Sequence, residues 1–131
     1  VRGNMIDVWL YRVGRNLNRA YRTCASFGVE RLVLVDCGEV SGRLYSAEGR
    51  VEVVRADALP SAGGTLVLED YAPLPLQLLA WHGVERIVVG GETSGIPRSF
   101  RAERAARIVS AKPSLTVEAS LAIALFEWSL A

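Results

Sequence analysis

Lysine is almost missing from this chain: Lys112 is the single example, and every other basic residue among fifteen is arginine. Histidine occurs once, as His82, so a histidine-rich zinc site or a histidine-based triad is excluded and no metal is expected. The two cysteines, Cys24 and Cys37, lack metal-ligand spacing. They read as reduced, packed thiols rather than a disulfide. No apolar run approaches the roughly 20 residues that span a bilayer, and no basic-then-apolar leader opens the sequence. The expectation is a cytoplasmic protein without membrane contact. A Gly-x-Gly-x-x-Gly after the first strand pattern is missing, and so is a Gly-Lys-Ser/Thr phosphate loop. The usual dinucleotide and NTP sites are thereby set aside.

What is present suits one folded domain. The chain has 131 residues, 50% of them apolar and 22% charged, which excludes a disordered linker. A net charge of +1 argues neither for nor against nucleic acid. The preference for arginine has two readings: composition bias, or a surface in which bidentate phosphate binding is useful.

Periodicity gives alternating elements. Ile6 to Tyr11 reads as a strand, and Leu17, Ala20, Tyr21, Cys24 and Phe27 fall at helical spacing with Gly28 as terminator. Leu32–Val35 is a continuous apolar run, as in a strand covered on both faces. Val51–Val54, Thr65–Leu68 and Ile87–Val89 read as further strands. Leu74–His82 suits a short helix, Ser99–Ala106 an arginine-rich helix, and Val117–Leu130 a helix apolar nearly all round. Two stretches are worded almost alike: Phe27-Gly28-Val29-Glu30-Arg31-Leu32-Val33-Leu34-Val35 and His82-Gly83-Val84-Glu85-Arg86-Ile87-Val88-Val89-Gly90. Reuse of one local solution explains this more simply than duplication. Alternating strands and helices imply an α/β fold, a mostly parallel sheet with helices on both faces. Ligands then belong at the carboxyl ends of strands, here Asp36, Leu68-Glu69-Asp70 and Gly90-Gly91-Glu92.

Three motifs stand in order. The first is Asn16-Leu17-Asn18-Arg19-Ala20-Tyr21-Arg22, leading to Phe27-Gly28-Val29. The second is a strand ending in Gly90-Gly91-Glu92-Thr93-Ser94-Gly95-Ile96-Pro97, and the third is Ser114-Leu115-Thr116-Val117-Glu118 before an alanine-rich helix. Together they resemble the SpoU/TrmH branch of the SPOUT RNA methyltransferases, over most of the chain from about Ile6.

The resemblance implies a single SPOUT domain over residues 1–131, closed by a C-terminal trefoil knot, without the separate RNA-binding domain many relatives carry. It implies a homodimer that uses S-adenosylmethionine to methylate a ribose 2′-hydroxyl, with tRNA ahead of rRNA as substrate. Carried over by position, cofactor contacts fall at Leu68, Gly90, Ile108, Ser114 and Leu115. Arg22 aligns with the family's catalytic arginine, with Glu92 as its orienting carboxylate or a turn cap. Because a guanidinium stays protonated, phosphate binding and stabilisation of a developing alkoxide suit Arg22 better than service as a base. Arg12, Arg15, Arg19 and Asn16 are placed to meet the RNA backbone. The arginines at 98, 101, 104 and 107 read as a solvated helix face paired to Glu103.

The departures lie in the same motifs. Asn18 stands for a glycine, Thr116 for an asparagine and Glu118 for a serine; the family's Ile-Pro-Met turn is replaced by the shorter Ile108–Pro113. Glu118 is open to three readings: a carboxylate base, a partner of Arg22, or an exposed helix residue. The alternatives to ribose methylation are a SPOUT-fold cofactor- or RNA-binding protein with lost transfer, and a base-methylating relative. A small nucleotide-binding α/β module is a third, but leaves the three ordered motifs unexplained.

Overall fold

The computed structural model describes residues 5–38, 51–92, 95–110 and 115–131. Its elements run β1 (Asp7–Tyr11), α1 (Leu17–Ser26), β2 (Arg31–Val35), β3 (Glu52–Ala56), β4 (Thr65–Leu68), β5 (Arg86–Gly90), β6 (Arg104–Ala106) and α2 (Val117–Leu130). All strand pairs are parallel, in the order β3-β2-β1-β5-β4-β6.

Strand β1 is central because two near-identical strands flank it. Asp7 stands opposite Arg31 of β2 on one side and Arg86 of β5 on the other. Along β1 the side chains alternate. Val8 and Leu10 are fully buried in the main core, while Trp9 and Tyr11 pack on the other face with Val67, Val88 and Ile96. Burial of side chains such as Leu10, Leu32 and Ile87 stabilises the sheet by about 1.5–3 kcal/mol each.

Helix α1 lays Leu17, Ala20, Tyr21 and Cys24 on this core. It ends in a Schellman motif, in which Gly28 (φ 73°) donates to Ala25 and Val29 donates to Cys24. Helix α2 packs beside α1 on the same face through Val117, Leu121, Ala124, Leu125 and Trp128. Among the described residues the opposite face is covered instead by loop segments carrying Leu59, Ile96, Phe100 and Ala102. Ile123, Phe126 and Leu130 of α2 are exposed, so the all-round apolar helix is buried within this chain on one side only.

Two expected helices are not formed. Ser99–Ala106 turns once, with Phe100 donating to the Pro97 carbonyl, and then enters the sheet as β6. Its arginines recur every third residue, a spacing that drifts around a 3.6-residue helix. Here they serve carbonyls: Arg104 donates to Ala80, and Arg107 to Ala72 and Pro73. Arg101 donates to Arg98 and Phe100, and Glu103 accepts from the Gly64 amide at 2.7 Å, with Arg104 a distant 3.9 Å away. The expected solvated face paired to Glu103 is thus replaced by backbone clamps. The helix expected over Leu74–His82 shrinks to a 3-10 turn at Leu76–Leu78. Leu74 and Leu76 share backbone bonds with Arg107, which holds this stretch extended beside β6. No helix among the described residues is long and apolar enough to cross a membrane.

Candidate functional site

Sequence order and spatial order part at β1 and β5. The chain moves outward from β1 through β2 to β3, then returns through β4 to β5 on β1's other side. Such a switch point opens a crevice at the carboxyl ends of the strands. Pairing sharpens it. β1 runs beside β5 as far as Tyr11–Gly90, whereas β4 stops at Val67–Val88, so β5 continues past its neighbour.

Glycines shape the crevice. A Cβ on Gly90 would lie 2.7 Å from the Gly95 carbonyl carbon and 2.9 Å from the Ile96 nitrogen. On Gly91 it would collide with the Arg12 carbonyl oxygen. The Gly91 amide also donates to Tyr11 at 2.7 Å. The loop after β5 therefore folds tightly back over the ends of β5 and β1, and no other residue type fits either position.

Under this loop lies a cleft of about 490 Å³, within the range of small-molecule sites. Its floor is Leu68, Val89, Gly90, Ile96 and Ile108, and α2 contributes Val117 and Ser120. Glu69, Asp70 and Glu92 supply carboxylates at the rim. Leu68, Gly90, Ile108, Leu115 and Glu92, all singled out in the sequence, come together here. Ser114 lies outside the described residues. Among those residues no hydrogen bond engages the peptide groups of Ile108, which follows the last sheet-like pair at Arg107. Three strand ends and a glycine-cleared wall suit a ligand read by backbone groups, and an apolar floor suits a flat ring. Ser120, Val117 and Ile96 were missed in the sequence; all three sit in or beside the motifs, but only folding turns them inward.

The first-motif residues lie elsewhere. Arg12 and Arg15 precede α1, and Asn16 begins the helix in the left-handed region without a side-chain cap. Arg22 is exposed, has no side-chain partner among the described residues, and does not line the cleft. Arg12 is bound to Asp36 at 2.8 Å, an interaction that raises the guanidinium pKa further. Within this chain Glu118 pairs with Arg19 and not with Arg22. Its carboxylate meets Arg19 at 3.4 Å and tethers α2 to α1, while its other oxygen is buried without a partner among the described residues. Thr116 caps α2 by accepting from the Ala119 amide at 3.3 Å, which explains why a hydroxyl suffices at that position.

No protein-family model matches the sequence, and a search of curated proteins gives no significant match. Solved structures do match. The SpoU methyltransferase AviRb from Streptomyces viridochromogenes superposes with a TM-score of 0.81 at 16% identity, over 99% of this chain and 60% of AviRb. AviRb in complex with AdoMet matches with a TM-score of 0.79. An rRNA methyltransferase from Sinorhizobium meliloti matches at 0.79 and 23% identity, over 94% of this chain and 54% of that one. A protein solved for insight into the 2-OH methylation of C/U34 on tRNA matches at 0.78 and 19% identity, over 97% and 90%. The chain thus has the fold of the SpoU/TrmH methyltransferases and spans 60% or less of the length of AviRb and the S. meliloti protein.

Proposed function

We propose that the chain is an S-adenosylmethionine-dependent RNA methyltransferase acting on a ribose 2′-hydroxyl, with tRNA ahead of rRNA, and that it works as a cytoplasmic homodimer with the C-terminal trefoil knot of its fold. The observation that carries this reading is the glycine-shaped cleft at the ends of β4, β5 and β6. Its chemistry fits the cofactor: an apolar floor for adenine, peptide groups at Leu68, Gly90, Ile108 and Leu115 for the ring edge and ribose, and rim carboxylates for a cationic tail. Ser114 joins this set by its motif. When bound, the cofactor supplies an electrophilic methyl group on a sulfonium.

The protein's part is to bring the hydroxyl in line, take charge of its proton and exclude water. Arg22 stabilises the oxygen as negative charge develops and binds the neighbouring phosphate. Since Arg22 stays outside the cleft of its own chain, a second copy supplies it, and Glu92 on the rim orients that guanidinium. Glu118, held by Arg19, fixes the N-terminal end of α2 against α1. Arg12, Arg15, Arg19 and Asn16 form the approach for the RNA backbone. The exposed Ile123, Phe126 and Leu130 give a second copy an apolar face to cover.

Calorimetric titration with S-adenosylmethionine tests the cleft, and saturation near one site per chain is expected. Arg22→Ala should lower methyl transfer at least about 100-fold, the scale of a lost charge-stabilising group, with cofactor affinity unchanged. Full activity in that variant would refute the assigned role. Digestion of the product RNA to nucleosides separates ribose from base methylation. The position of Arg22 outside its own cleft keeps one second reading in play, a binding protein without transfer, which cofactor binding with no methylated product would select.

A further inference from the structure

A second recess of about 510 Å³ opens at the carboxyl ends of β1, β2 and β3, lined by Tyr11, Arg12, Asp36, Asp57, Leu59 and Pro97 among others. It shares a wall with the first cleft, because Gly91 is pressed on the Arg12 carbonyl and hydrogen-bonded to Tyr11, and Pro97 follows Ile96 of the first cleft. Apart from Arg12, which the methyl-transfer reading puts on the approach of the RNA backbone, that reading assigns no role to the residues of this space.

Its walls are of three kinds. The Arg12 guanidinium stands over the Tyr11 ring, 5.2 Å from its centroid, and Asp36 holds it there at 2.8 Å. Arg12 and Asp36 both adopt positive φ (54° and 51°), a conformation uncommon outside glycine, and the Arg12 amide is fixed by the Val35 carbonyl. This gives a planar platform for stacking. Leu59 and Pro97 add apolar surface. The exposed Asp57 carboxylate has no partner among the described residues and supplies two free acceptors. A stacking plane, an apolar edge and an unpaired carboxylate together read the face and the donor edge of a nucleobase. A carboxylate receives two parallel hydrogen bonds from guanine N1–H and N2–H, and one from uracil N3–H.

We propose that this recess is a nucleobase pocket for a nucleotide flanking the one being modified, with guanine preferred. The choice of RNA as the source rests on the reading above; the pocket itself does not.

Amide NMR spectra of the protein, titrated separately with GMP, AMP, CMP and UMP, test it. GMP should move the signals of Tyr11, Arg12, Asp36 and Ala56 to Leu59, and bind about five-fold or more tighter than UMP, the low end of discrimination by a bidentate base contact. Asp57→Asn should abolish that preference, bringing GMP affinity down to that of UMP. Tyr11→Ala should weaken all four. Shifts centred on Leu68, Gly90 and Ile108 instead, equal affinities, or a preference indifferent to Asp57→Asn would overturn the pocket. A guanine-containing trinucleotide binding tighter than GMP with a salt dependence identifies RNA as the occupant; equal affinity would overturn that source in favour of free nucleotide. S-adenosylmethionine titrated in the same spectra reports on the other cleft, so failure of the methyl-transfer reading and failure of the pocket are separately visible.

Discussion

The stretches Phe27–Val35 and His82–Gly90 begin alike and end differently. Each turns at a left-handed glycine, Gly28 at φ 73° and Gly83 at φ 85°, and each then sends an arginine-led strand alongside β1. Upstream they part: a ten-residue helix ends at the first, and only a 3-10 turn precedes the second. They part again at the far end. β2 leads to Asp36, which grips Arg12, while β5 ends in two glycines under a folded-back loop. The shared wording builds the link and the strand. The last one or two residues decide whether the strand end carries a charge pair or a close-fitting backbone cleft.

The sharpest way to break this comparison is at those ends. Gly91→Ala forces a methyl onto backbone that cannot move aside. It should cost about 3 kcal/mol, the upper range of overpacking, and abolish cofactor binding. Asp36→Gly at the matching end of β2 relieves a positive φ and should leave stability within about 1 kcal/mol of the parent. Urea titration of both variants measures the contrast, and equal losses would remove it.

Next come the shared glycines. Gly28→Ala and Gly83→Ala should each destabilise by about 1–2 kcal/mol because both place a side chain in the left-handed region. The second should lose more, since its Cβ would also lie 3.3 Å from the Arg104 guanidinium.

The arginines give a smaller difference. Arg86 donates to the Gly63 carbonyl at 2.6 Å and to the buried Thr65 hydroxyl at 3.0 Å. Arg31 pairs with Asp7 nearer solvent, 46% exposed against 20% for the Arg86 side chain. Arg86→Ala should cost about 1.5–3 kcal/mol, as for hydrogen bonds to charged groups. Arg31→Ala should cost about 0.2–1 kcal/mol, as for an exposed pair.

The smallest effect is on the thiols beside the first stretch. Burial raises the pKa of Cys24 strongly and that of half-buried Cys37 more modestly. At pH 8 Cys37 should alkylate more slowly than a free thiol, and Cys24 only on unfolding. Both raised values favour the neutral thiol in the fold. Their contribution to stability therefore holds below the ordinary value of 9.0 and declines as pH climbs past it.

Strands β1 to β5, α1, α2 and the parallel sheet were legible because their apolar periodicities reflect burial on one or both faces. The helices expected at Leu74–His82 and Ser99–Ala106 were not, because Arg107 and Leu74–Leu76 satisfy one another's backbone across 30 residues of chain. No local pattern carries that pairing. The cleft at Leu68, Gly90 and Ile108 was legible from glycine spacing and the resemblance. The attachment of Glu118 to Arg19, rather than Arg22, was not. Both arginines lie on α1 within one turn of each other, and only the packing of α2 against α1 selects between them.

By itself the sequence determined strands β1 to β5, the two glycine-capped links and the glycines that clear the cleft, since each depends on residue type and near neighbours. Tertiary structure alone decided which strand flanks which, where the arginines go, and that a second recess lies beyond the wall shared by Arg12 and Gly91. Those outcomes depend on backbone groups far apart in the chain finding partners, and a backbone group has the same chemistry at every position.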